Sequence, residues 1–165
     1  MSKISNDIDE IFTALRKIRS SSFDQATVMP APYYNSAEFL ELEAEHVFRR
    51  DWVCLGRADE LKNAGDFFTT ELVGEQLLVT RGKDDVVRVL SNVCRHRGNM
   101  IAFGSGKKLR FTCNYHAWTY DFKGDLIAAP FMQEAENFDQ KKCALPSFKT
   151  EIWQGFLFVN GSGDA

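Results

Sequence analysis

The chain has 165 residues and a formal net charge of −3, enough length for one domain with extensions and a buried core. That mild acidity gives no reason to expect nucleic acid or an anionic membrane as partner. No run of about 18 apolar residues occurs, so no membrane span is expected. The first residues mix basic side chains with Asp7, Asp9 and Glu10, unlike a transit peptide.

Ile4, Ile8, Ile11, Phe12, Leu15 and Ile18 recur at steps of three and four, which predicts an amphipathic helix over 4–19. Ser20-Ser21-Ser22 breaks it, and Pro30 and Pro32 mark an irregular, extended connector. Asn35 or Ser36 is the N-cap of a second helix running to about Phe48, with Leu40, Ala44, Val47 and Phe48 on one face. Beyond Trp52, residues 67–73, 76–80 and 86–93 are short runs rich in β-branched and aromatic residues. Gly74-Glu75 and Gly82-Lys83-Asp84-Asp85 separate them, so they read as an antiparallel meander. Further strands are expected over 108–113, 118–122 and 126–129, the last two joined by a turn at Lys123-Gly124-Asp125. Residues 131–146 read as a surface excursion closed by Pro146, and 152–160 as a last buried strand. The expected division is 1–35 (helix and connector), 36–60 (helical lead-in), 61–161 (β domain) and 162–165 (flexible end).

Between the strands lies the stretch that carries chemistry. Cys94-Arg95-His96 is followed, after sixteen residues, by Cys113-Asn114-Tyr115-His116. Each half offers one thiolate and one imidazole. This suits a [2Fe-2S] cluster in which Cys94 and Cys113 hold one iron and His96 and His116 the other. Gly98, Gly104 and Gly106 supply tight backbone around it. A tetrahedral zinc site is the rival reading, although zinc fingers pair Cys with Cys and His with His in sequence, with the second half on a helix. Of the other cysteines, Cys54 and Cys143 are expected to be unpaired, half-buried thiols, and a reducing, cytoplasmic setting fits. Arg88, Arg95, Arg97, Lys107, Lys108 and Arg110 are expected near the motif, as a solvated rim or a docking site for an acidic donor. Trp118 and Tyr120 are expected to pack beneath the second loop.

Arg97-Gly98, the run from Tyr115 to Tyr120, the helix with Phe48-Arg49-Arg50-Asp51-Trp52, Gly65-Asp66-Phe67 and residues 155–160 resemble the N-terminal part of the Rieske non-haem iron oxygenase large subunit. The resemblance covers about residues 30–161. It implies a mainly β fold: a Rieske-type antiparallel domain with two cluster-binding loops, preceded by two N-terminal helices. It also implies that Cys94 and Cys113 hold the inner iron and His96 and His116 the outer one. Respiratory-type Rieske proteins carry an extra cysteine in each loop. Here Asn99 and Tyr115 stand at the comparable positions, which favours the lower end of a range of roughly −150 to +300 mV.

In that family electrons pass to a mononuclear Fe(II) held by two histidines and a carboxylate in a C-terminal domain. The chain has three histidines, and only His46 lies outside the motif. These residues are therefore expected to carry no catalytic site and to be inactive in oxygenation alone. The resemblance further implies a reductase or ferredoxin donor, a homo-oligomer, commonly a trimer, and oxidation of a small organic substrate with O₂. Two alternatives stay open: a stand-alone Rieske-type ferredoxin, and a zinc-stabilised structural module.

Overall fold

The computed structural model describes residues 4–132 and 134–162. The side chains of residues 4–7, Ile4 among them, and the expected flexible residues 163–165 lie outside the described parts. The chain divides into two compact units, Met1–Val47 and Phe48–Ala165.

In the first unit, helix α1 (Ile4–Ser20) ends where the hydroxyls of Ser20 and Ser21 donate back to the Lys17 carbonyl. The proline connector is not wholly extended. It contains a 3₁₀ turn over Phe23–Gln25 and a short helix, α2 (Ala31–Asn35), with Pro32 in the first turn, where a missing N–H costs nothing. Helix α3 (Ala37–Glu43) starts at Ser36, whose hydroxyl accepts from the Phe39 N–H at 3.1 Å, so Ser36 and not Asn35 is the cap. The hydrogen bonding then widens into a π turn over Ala44–Phe48. The expected apolar face does not survive this. Leu40 and Val47 are exposed, and Phe39 is buried instead, its ring 5.7 Å from Phe12 and 4.9 Å from Tyr33. The π turn shifts the register, so a 3.6-residue period does not run through to Phe48.

The second unit holds ten described strands: β1 (Trp52–Arg57), β2 (Asp66–Leu72), β3 (Glu75–Arg81), β4 (Val87–Ser91), β5 (Ser105–Lys107), β6 (Phe111–Thr112), β7 (Thr119–Tyr120), β8 (Leu126–Ala128), β9 (Ser147–Trp153) and β10 (Phe156–Asn160). Seven form one antiparallel sheet in the order β1-β10-β9-β4-β3-β2-β5, and β6-β7-β8 form a second. The fold is thus mainly antiparallel β, with α1 to α3 in the N-terminal unit and only short 3₁₀ turns among the described helices of the second. The meander β2-β3-β4 lies where the sequence places it.

Strands β1, β5 and β9 were not legible in the sequence. The run 152–160 is not one strand. Trp153 pairs with Phe156 across Gln154-Gly155, both at positive φ, so the chain reverses there. Apolar residues on both sides of a two-residue turn imitate one continuous run.

β3 is buried on both faces, which is why it shows no alternation. Leu77 and Val79 join Leu61, Val87, Val89, Leu157 and Val159 in one core. Leu78 faces the other, with Phe67, Leu90, Phe111, Tyr120, Phe122, Leu126 and Leu145. Each large apolar side chain so buried contributes roughly 1.5–3 kcal/mol. This second core draws on both sheets and includes Cys94, Cys113 and Trp118. The supposed surface excursion folds back on it. Phe138 and Cys143 pack against it, and the Pro146 carbonyl accepts from Ser91 N–H at 2.8 Å.

Candidate metal centre

The two loops have the same backbone. In the first, Gly98 N–H donates to the Cys94 carbonyl (3.0 Å) and Cys94 N–H donates to the Asn99 carbonyl (2.9 Å). In the second, Ala117 N–H donates to the Cys113 carbonyl (3.0 Å) and Cys113 N–H to the Trp118 carbonyl (2.8 Å). Each closes through a left-handed residue, Gly98 at φ 71° and Ala117 at φ 57°. Gly104 and Gly106 serve a different end: Gly104 accepts from Thr69 N–H, and Gly106 lies in β5.

These turns bring the four chemistry-bearing side chains together by type. Cys94 and Cys113 are both 3 % exposed and unbridged, with the Cys94 thiol within hydrogen-bonding reach of Cys113. The rings of His96 and His116 lie 4.6 Å apart and are half-exposed. Nδ1 of each is buried without a hydrogen-bond partner. Leaving such an atom unpaired costs about 1–3 kcal/mol, so the position suits a ligand and not a packed core. Two neighbouring thiols beside two unpartnered ring nitrogens fit the donor set of a two-iron cluster with mixed ligands.

The electrostatics differ between the loops. Burial pushes the Cys113 thiol up, but backbone N–H groups of Tyr115 and His116, with Cys94 and Asn99, outweigh it and hold Cys113 below its ordinary value. Burial, then the charges of His116 and Arg97, lower the His96 imidazolium. Burial and the adjoining Cys94 push the Tyr120 phenol well above its usual range.

Each loop is braced by residues of the other. Trp118, after the second loop, stacks parallel on His96 of the first, with centroids 4.7 Å apart and planes 11° apart. The Tyr120 hydroxyl accepts from Arg95 N–H (3.1 Å) and lies 3.4 Å from Cys94 Sγ. In the opposite sense, Asn99 Nδ2 donates to Asn114 Oδ1 (2.7 Å) and approaches Cys113 Sγ at 3.7 Å. Trp118 and Tyr120 thus support the first loop more than the second, beneath which the sequence placed them. Sequence reasoning missed these braces. It also missed Asn92, fully buried, whose amide exchanges hydrogen bonds with Ala102 N–H and C=O (3.0 and 2.9 Å). A polar residue inside the apolar run 86–93 was the available signal.

Arg95, Arg97 and Arg110 are exposed. Arg88 forms a two-pronged pair with Asp84 at the β3–β4 turn, which lowers Asp84 to about 2. Lys108 lies over the Phe67 ring. Cys54 is exposed, Cys143 is half-buried, and both are unbridged. His46 is exposed in the π turn of the N-terminal unit.

A family model described as the Rieske [2Fe-2S] domain matches residues 51–149. The carnitine monooxygenase oxygenase subunit of Acinetobacter baumannii is 39 % identical over 138 residues, which are 83 % of this chain and 37 % of that protein. The benzene 1,2-dioxygenase subunit alpha of Pseudomonas putida is 36 % identical over 146 residues, 86 % of this chain and 32 % of that one. Among solved structures, the apo form of the quaternary ammonium Rieske monooxygenase CntA superposes with a TM-score of 0.80 at 38 % identity, over 85 % of this chain and 41 % of that chain. The chain therefore spans only about a third of the length of the curated relatives it matches.

Proposed function

The chain belongs to the Rieske [2Fe-2S] domain family, and from that premise we propose that Cys94 and Cys113 hold one iron through Sγ while His96 and His116 hold the other through Nδ1. The observation that carries this reading is the pair of buried, unpartnered Nδ1 atoms beside two buried thiols. Bound there, the cluster supplies one-electron transfer at a potential within the Rieske range. The protein's own part is positional. Two matched turns present the four donors, the core excludes water from the thiol side, and Trp118 orients the His96 ring. The half-exposed imidazoles form the side open to solvent or to a partner.

Resemblance to oxygenase subunits supports a role as the electron-accepting N-terminal part of a larger oxygenase subunit. In that role a reductase or ferredoxin supplies electrons, and a small organic molecule is oxidised with O₂ at a mononuclear iron outside these 165 residues. Inactivity of these residues alone in oxygenation belongs to the same proposal, supported by the sequence, in which His46 is the one histidine outside the motif. Unbridged Cys54 and Cys143 suit a reducing compartment such as the cytoplasm. Assembly as a homo-oligomer, a trimer in the first instance, belongs to the same reading. A solved quaternary ammonium monooxygenase is described with inter-subunit electron transfer.

The test is metal and sulfide analysis of the purified chain, with electron paramagnetic resonance after dithionite reduction. Equal iron and acid-labile sulfide with a mixed-ligand signal is expected, and His116→Cys should lower the potential. A colourless protein holding about one zinc and no sulfide would overturn the reading.

A further inference from the structure

We infer that Asn99 is a positioning residue that ties the first loop to the second and, by directing an N–H at Cys113 Sγ, raises the reduction potential of the centre. The inference rests on Cys113 being an iron ligand, as proposed above.

Asn99 closes the first loop through its main chain, its carbonyl accepting from Cys94 N–H at 2.9 Å. The side chain therefore reaches out from a point held in register with Cys94. Its Nδ2 has three acceptors in range: the Met100 carbonyl at 2.8 Å, Asn114 Oδ1 at 2.7 Å and Cys113 Sγ at 3.7 Å. An amide has two protons to give. The Met100 carbonyl, on the next residue, takes one. The other points across the gap between the loops and is shared by Asn114 and Cys113.

A neutral thiol is a weak acceptor, and sharing then favours Asn114. A thiolate bound to iron carries charge, and the same N–H becomes a charge-assisted donor. Cys113 already faces the backbone N–H groups of Tyr115 and His116, so Asn99 adds a third donor, and it comes from the other loop. An added electron raises the negative charge on the sulfur, so every N–H aimed at it favours the reduced state. Hydrogen bonds to the sulfurs are among the levers that set such potentials. Among the described residues, Cys94 shows no matching side-chain amide, and the Tyr120 hydroxyl lies 3.4 Å from its sulfur.

The experiment compares Asn99→Leu with Asn114→Leu in the cluster-loaded chain. Both remove the amide-to-amide link, but only the first removes the donor to Cys113. Midpoint potentials come from redox titration, and loop integrity from the rate of iron release to a chelator. For Asn99→Leu the reduction equilibrium should fall about tenfold, which is about 59 mV for one electron, and iron release should quicken. Asn114→Leu should quicken release and leave the potential at or above that of the wild type. Asn99→Ala, which removes the amide without adding an apolar branch, is read in the same way. Failure of both Asn99 variants to take up iron, with unchanged circular dichroism and a loaded Asn114→Leu, is the limit of faster release and also supports the inference. An Asn99→Leu chain with wild-type potential and release rate overturns it and leaves the ligand assignment standing. A wild-type chain without iron overturns both.

Discussion

The loops at Cys94–Asn99 and Cys113–Trp118 share one hydrogen-bonded backbone and differ in nearly everything that supports it. The first places its histidine two residues after the cysteine, the second three. The first closes through Gly98, the second through Ala117, a residue that pays for positive φ with strain. The first is anchored from below by the fully buried Asn92 amide. The second is anchored by Thr119, whose hydroxyl donates to the Ala117 carbonyl and meets Thr112 at 3.0 Å. Cys94 lies against a phenol hydroxyl, whereas Cys113 faces three N–H groups. The lesson is that one turn geometry can be reached with unequal local chemistry, provided each loop leans on the other.

The strongest way to break this comparison is at the anchors. Asn92→Ala strands the Ala102 N–H and C=O in the core, at about 1–3 kcal/mol each. It should lower the unfolding free energy of the metal-free chain by about 3 kcal/mol. Thr119→Val, which removes one hydroxyl from a shallower site, should cost about 1 kcal/mol. Denaturant midpoints measure both, and equal losses would mean that the loops are anchored alike.

The next effect is smaller and tests the left-handed positions. A methyl group at Gly98 would meet no atom within 4 Å, so Gly98→Ala carries only backbone strain, about 1 kcal/mol. Ala117→Gly relieves that strain but frees the unfolded chain, so its gain should stay below about 1 kcal/mol. Opposite signs in the two denaturation curves are expected. A stabilising Gly98→Ala would show that the loops do not share their geometry in solution.

The smallest effect belongs to the His96 imidazole of the first loop. Burial, with His116 and Arg97, lowers its pKa in the folded metal-free chain. The unfolded chain then takes up a proton first as pH falls. Stability that is complete above the unfolded value of about 6.5 is therefore lost as pH drops through the lower, folded one. Unfolding free energy measured between pH 7.5 and 5 should decline, and His96→Asn should flatten that decline.

Legibility followed the range of the interactions. The C-x-H and C-x-x-H pairs could be read from sequence because each pair sits within a single six-residue turn. The meander β2-β3-β4 could be read because β-branched runs alternate with Gly and Asp turns. Strand β9 could not. Its residues 147–153 mix Lys149 and Glu151 with Phe148 and Ile152, and only pairing with β10 and β4 makes them a strand. The end of the second helix was misread because a π turn breaks the period on which the reading relied.

The sequence by itself determined which donors exist, how each is paired within its loop, and that a two-iron centre suits them better than a finger-like zinc site. It was also enough to show that one histidine remains outside the motif. Only the tertiary structure decided how the loops face each other: thiol beside thiol, imidazole beside imidazole, with Trp118, Tyr120 and Asn99 crossing between them. The reason is distance along the chain. A ligand and its turn are set by neighbours within six residues. The braces join residues 14 to 26 positions apart, and the packing of the two sheets brings those together.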